Sequence, residues 1–259
     1  MDFALTDQRN SRFELVDLTG TTFEMVDFTG TRFRGVGLHG VVMRDVELSD
    51  VEISGEVRNV RINGVDVAPL VEAELDRRYP DRATMRATDP DGFRRAWDVV
   101  ERLWDGTVER ARRLPPEALH ESVDGEWSFV QTLRHLVFAT DAWVARGILG
   151  EPRPWHQLSL PFDGMPPTPG VPRDTAARPS LDEVLEVRRE RTALVRRVVE
   201  GLDEEALERL GPVVEEPGWP EPGSSHPARS CLRVVLNEEW EHRLYAERDL
   251  AVLEERASS

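Results

Sequence analysis

Large apolar residues recur every five positions near the N-terminus, at Phe13, Leu18, Phe23, Phe28, Phe33, Leu38, Met43, Leu48 and Ile53. A second row lies two positions earlier, at Val16, Thr21, Val26, Thr31, Val36, Val41, Val46 and Val51, with Asp, Glu, Arg, Thr and Gly between. A period of five matches neither the 3.6 of a helix nor the 2 of a strand, so an ordinary amphipathic element is excluded for this stretch. The spacing suits a square coil in which each five-residue side turns one large and one small residue inward, and stacked coils share an apolar column. Nine sides make about two coils of that kind. Val60 with Ile62 and Val65 with Val67 continue the spacing one residue out of phase, which predicts a third, irregular coil.

Residues 11 to 68 resemble the pentapeptide-repeat family. That resemblance implies a short right-handed quadrilateral β-helix and says little about function. Some members of the family are acidic mimics of DNA. Here residues 1 to 68 carry seven Arg against twelve Asp plus Glu, a difference of −5, so a packing or dimerisation platform is the stronger expectation and a protein-binding module the weaker.

The rest of the chain switches to helical periodicity. Residues 69 to 90 hold a short amphipathic helix ended near Pro80 and then a polar connection, and are expected to link the repeat (1–68) to a helical domain (91–259). Phe93, Trp97, Val100, Trp104, Val108 and Ala111 fall at steps of three and four, predicting a helix over about 91 to 114 that Pro115 and Pro116 end. Ser128 with Gln131, and Ser180 with Glu183, are capping-box pairs opening helices over 128 to 149 and 181 to 200. A short helical turn at 203 to 210 and a last helix over 228 to 256 follow. Four long amphipathic helices without intervening strands predict a bundle, so the whole chain is expected to be multidomain β plus α. Two Pro- and Gly-rich connections, 151–179 and 211–227, are unusually long for a compact domain, and such segments often carry function.

Two of the six histidines, His135 and His242, sit inside the long helices. Glu238 precedes His242 by four residues, so both side chains leave one helical face. Adding His135 from a facing helix gives two imidazoles and one carboxylate, the ligand count of a metal site with a position left open. By spacing alone, a Glu and His four apart are more often a solvated helix face, and a lone helical His is more often structural.

The segments EWSFVQTLRHLVFATDAWV at 126–144 and LNEEWEHRLYAERDL at 236–250 resemble the second and fourth helices of the DinB superfamily. In that family a tryptophan and serine open the helix bearing the first metal ligand, and two more ligands lie four apart on the last helix. The resemblance covers about 91 to 256. It implies a DinB-like four-helix bundle holding a divalent ion on His135, Glu238 and His242, with zinc first and nickel second. Many members carry histidine at both last-helix positions; Glu238 departs from them and resembles the mycothiol-dependent maleylpyruvate isomerase branch. Glu239 is the rival ligand if the register slips by one, although Arg243 four residues on is its expected partner. Glu241, Asp249 and Asp141 are candidates to orient the imidazoles. His156, in the first long connection, is within plausible reach of the site mouth, but an exposed loop histidine is the stronger expectation.

What the resemblance implies for function is a metal-dependent S-transferase or isomerase that uses a low-molecular-weight thiol, of the mycothiol type, on a small electrophilic molecule. A non-catalytic metal-binding stress or interaction protein is the alternative, and a homodimer is open. The formal charge of −16 disfavours nucleic acid and anionic membrane. No apolar run approaches the roughly 20 residues of a spanning helix, and the N-terminus lacks a signal-peptide pattern, so a cytoplasmic location is expected. The single Cys231 reads as a small buried apolar residue or a free thiol. All 33 basic residues are arginine, which suggests a GC-rich, actinobacterial genome. No phosphate-cradling loop, CxxC pair or nucleophilic serine motif is present.

Overall fold

A computed structural model describes residues 7–258. The chain divides after Glu56 into two compact units.

In the first unit the five-residue period survives as backbone geometry. Left-handed φ values recur at Leu15, Gly20, Met25, Gly30, Gly35, Gly40, Asp45, Asp50 and Gly55, one corner per repeat. Glycine takes such corners without penalty, whereas Leu15 and Met25 each bear about 1–2 kcal/mol for them. Phe28 sits between Phe23 and Phe33, with ring centroids 5.4 and 6.0 Å away. No strand forms in this unit, however, and every residue from 7 to 56 is exposed.

The expected right-handed quadrilateral β-helix is therefore not what is observed. Among the described residues the only sheet is a two-stranded antiparallel one, made by β1 (Arg61–Ile62) and β2 (Val65–Asp66). A coil wall is a ladder between successive coils, and it buries its apolar rows only when several coils stack. With about two coils, each row has at most one neighbour, so neither a ladder nor a buried column is established. The out-of-phase residues 60–67 form a hairpin instead of a third coil. Asn63 and Gly64 both adopt positive φ at its tip, as a two-residue hairpin turn requires.

The second unit is helical. Its elements after the hairpin include α1 (Ala68–Arg78), 3₁₀ segments (Pro80–Arg86 and Ala118–His120), α2 (Pro90–Ala111), α3 (Phe129–Thr140), α4 (Leu181–Glu200), α5 (Glu204–Glu208) and α6 (Ala228–Ala257). The long helices α2, α3, α4 and α6 pack into the bundle that the periodicity predicts. Asp89 caps α2 by accepting from the Gly92 amide at 2.8 Å. Both capping boxes form, Ser128 with Gln131 and Ser180 with Glu183. One difference is local: beyond Thr140 the helix widens into a π turn, Asp141–Arg146, so the expected single helix over 128–149 is two helical forms end to end. Phe93, Trp97, Leu133, Leu136, Leu232 and Leu250 make the centre of the core, each no more than 1% exposed. Burial of a side chain of this size contributes about 1.5–3 kcal/mol. No helix among the described residues is long and apolar enough to cross a membrane.

Candidate metal centre

Helix α3 is apolar nearly all round, with every residue except Gln131 buried. A helix of that kind lies inside its domain, and any polar residue on it must find an internal partner. His135 does so on both ring nitrogens. Nδ1 lies 3.0 Å from the Leu160 carbonyl oxygen, and Nε2 lies 3.1 Å from Glu238 Oε2. On α6, His242 Nε2 reaches the same Glu238 Oε2 at 3.0 Å. The three residues can each offer one ligand atom such that all three atoms lie within 4.8 Å of one another. The fold thus brings together His135, Glu238 and His242.

A carbonyl only accepts, so the ring hydrogen of His135 sits on Nδ1, and a neutral ring points the Nε2 lone pair at the carboxylate. Two electron-rich atoms at 3.1 Å attract only with a positive charge in the arrangement, either a further proton or a cation held among the three. Burial works to raise the Glu238 carboxyl, but hydrogen bonds and charge from the two imidazoles outweigh it and hold the group at about 2. A strong anion with two converging nitrogens is a donor set suited to a divalent ion.

Aromatic rings roof the cluster. Trp127 stacks on His242 with centroids 5.8 Å apart and planes 17° apart, and lies 4.6 Å from the His135 ring. Its indole N–H donates to Asp163 in the first long connection at 3.3 Å. Phe138 stands 6.1 Å from His135, and Tyr245 meets His242 edge-on at 5.9 Å. Behind Phe138, Ala142 and Met165 form a small buried core with Phe162 and Trp219 packed against it.

The rival ligand Glu239 points elsewhere. It is 1% exposed and holds a two-pronged ion pair with Arg188 of α4, at 2.8 Å for each bond. Arg243, its expected partner, bonds instead to Thr107 Oγ1 and the Leu103 carbonyl. Among the described residues none of Glu241, Asp249 and Asp141 bonds an imidazole. Asp249 pairs with Arg248, and burial raises the Glu241 carboxyl. Buried Asp141 accepts from the His156 amide, Ser159 Oγ and Arg191 Nε, tying down the first long connection. His156 caps a turn there, its Nδ1 accepting from the Leu158 amide. Cys231 is buried, and burial pushes its thiol up to about 11, which leaves it unreactive near neutral pH.

Sequence reasoning missed the Leu160 carbonyl, because a backbone acceptor carries no residue signature. It also passed over Arg134 and Arg146, both almost fully buried. A signal for Arg134 was available: a cation in a helix that is apolar nearly all round has to be buried and hydrogen-bonded.

Comparison with known proteins found matches to two families. Residues 9–35 match a family of pentapeptide repeats (8 copies). No curated protein and no solved structure was found to match the chain. Residues 100–246, more than half of the chain and including all three converging side chains, match the DinB superfamily, and the protein belongs to it.

Proposed function

We propose that His135, Glu238 and His242 hold one divalent metal ion, zinc before nickel, and that the protein is a metal-dependent enzyme of the DinB type acting on a small electrophile with a low-molecular-weight thiol. The observation that carries this reading is the approach of two imidazole nitrogens to one carboxylate oxygen, with the remaining nitrogen of His135 committed to a carbonyl. When bound, such an ion supplies Lewis acidity that lowers the pKa of a thiol at its open position, giving a thiolate at neutral pH. The protein's own contribution is positional. Leu160 fixes the His135 ring, Glu238 balances charge, and Trp127 with Phe138 lines the approach with aromatic surface that keeps water away. A mycothiol-type thiol and an S-transfer or isomerisation outcome follow from the Glu238 variant of the ligand set and rest on family resemblance.

Elemental analysis of the gently purified protein tests the ion directly. We expect close to one equivalent of metal, lost in His242→Ala. Thiol-dependent consumption of an electrophile such as maleylpyruvate, abolished by His135→Ala, tests the chemistry. Metal without any thiol-dependent turnover would favour a non-catalytic metal-binding protein. The exposed apolar rows of residues 13–53 fit a protein-binding or self-association surface, in keeping with either outcome. A metal-free protein would remove both.

A further inference from the structure

Arg134 precedes His135 on α3 and is 0% exposed. Among the described residues its guanidinium makes no ion pair with a carboxylate. Instead Nε donates to the Leu158 carbonyl at 2.9 Å, Nη2 to that of Asp174 at 2.7 Å, and Nη1 to that of Ala177 at 3.3 Å. All three acceptors belong to the long connection between α3 and α4. The backbone of Arg134 adds a fourth tie, since its carbonyl accepts the Leu160 amide at 3.2 Å. Leu160 in turn offers its own carbonyl to His135 Nδ1. Residues 158–160 are therefore gripped at one end by the Arg134 side chain and at the other by the Arg134 backbone, and the last of them orients the metal ligand next door.

A buried guanidinium bound only to backbone carbonyls is expensive to desolvate, and burial pulls Arg134 down from its ordinary value. A lysine could not replace it, because a point charge cannot span three carbonyls that a planar fork reaches at once. Arg146 makes an instructive contrast. It is 2% exposed and grips the carbonyls of Pro152, Val214, Glu216 and Pro220. Among the described residues none of these carbonyls bonds to His135, Glu238 or His242.

We propose that Arg134 is the positioning residue of the metal centre: by fixing residues 158–160 it holds the Leu160 carbonyl on His135 Nδ1, which leaves Nε2 free for the ion. Resting on the metal reading above, it makes metal affinity and the order of the 151–179 connection two sides of one equilibrium, so each strengthens the other.

The test is zinc affinity of the full-length protein by chelator competition, with nitrogen NMR of the His135 ring in the metal-free state. Loss of an orienting partner typically costs 10–100-fold in metal affinity. Arg134→Met should show a loss of that order, Arg134→Lys a smaller one, and Arg146→Met an affinity close to that of the wild type despite comparable destabilisation. In the metal-free wild type the Nδ1 hydrogen of His135 should be held on the Leu160 carbonyl and exchange slowly with water, and in Arg134→Met it should exchange faster. If Arg134→Met does not fold, hydrogen exchange of the wild type decides: zinc should slow the amides of 158–160 and 174–177. Unchanged exchange, or a folded Arg134→Met that binds zinc as tightly as the wild type, overturns the proposal and leaves the metal site standing. A wild type that binds no zinc, or a His242→Ala that binds it equally well, overturns the metal reading itself.

Discussion

The repeat and the bundle handle the same kind of apolar side chain in opposite ways. The nine large residues from Phe13 to Ile53 are spaced with great regularity, yet each stays between 44% and 73% exposed. The bundle's pattern is less regular, but Phe93, Trp97 and Leu250 are 1% exposed or less. Regular spacing places side chains in a row; only a facing layer removes the row from water. α2, α3, α4 and α6 supply each other with facing layers, whereas a coil that turns about twice leaves each row with at most one. The difference also explains where chemistry is found. Converging polar groups such as His135 and Glu238 gain strength from a dry surrounding, which residues 7–56 do not provide.

The contrast can be broken by mutation. The largest effect expected is in the bundle core, where Phe93→Ala should destabilise by ~3–5 kcal/mol in chemical denaturation. A loss under ~1 kcal/mol would mean that the bundle packs no better than the repeat. Glu239→Ala strands Arg188 in the core and should cost up to ~3–5 kcal/mol, while the joint replacement Arg188→Met with Glu239→Leu recovers most of it. Failure of the double variant to recover would show that the pair does more than satisfy itself.

A smaller effect is confined to acid. In the metal-free protein the Glu238 carboxyl lies at about 2 against an ordinary 4.5, and a depressed carboxyl adds stability above its unfolded value that disappears as pH falls through its folded value. The stability advantage of wild type over Glu238→Gln should therefore hold above pH 4.5 and shrink between 4.5 and about 2. Parallel denaturation midpoints for the two proteins across that window would contradict the geometry. Smallest of all, Phe28→Ala, at a 44% exposed position, should change stability by no more than about 1 kcal/mol. A cost equal to that of Phe93→Ala would reveal a core in the repeat.

Much of the bundle was legible from its residues. Ser180 with Glu183 marked the start of α4, and the steps from Phe93 to Ala111 the buried face of α2. These are local signals, set by hydrogen-bond partners and spacing within a few residues. The pairing of Glu238 and His242 across one helical turn was legible for the same reason. The π turn at Asp141–Arg146 was not, because it changes the hydrogen-bond register without changing the apolar pattern. Nor was the fate of Glu239, since its partner Arg188 lies 51 positions away on α4.

By itself the sequence determined the bundle helices, two of their caps, the five-residue period of the repeat and the candidacy of His135, Glu238 and His242. Tertiary structure alone decided that the two imidazoles converge on one carboxylate oxygen, that a carbonyl of a distant connection sets the His135 ring, and that the repeat closes no β-helix. The reason is one of range. Propensity and spacing act along a few residues of chain, whereas a shared oxygen, a buried fork and an apolar column each need partners that only folding brings together.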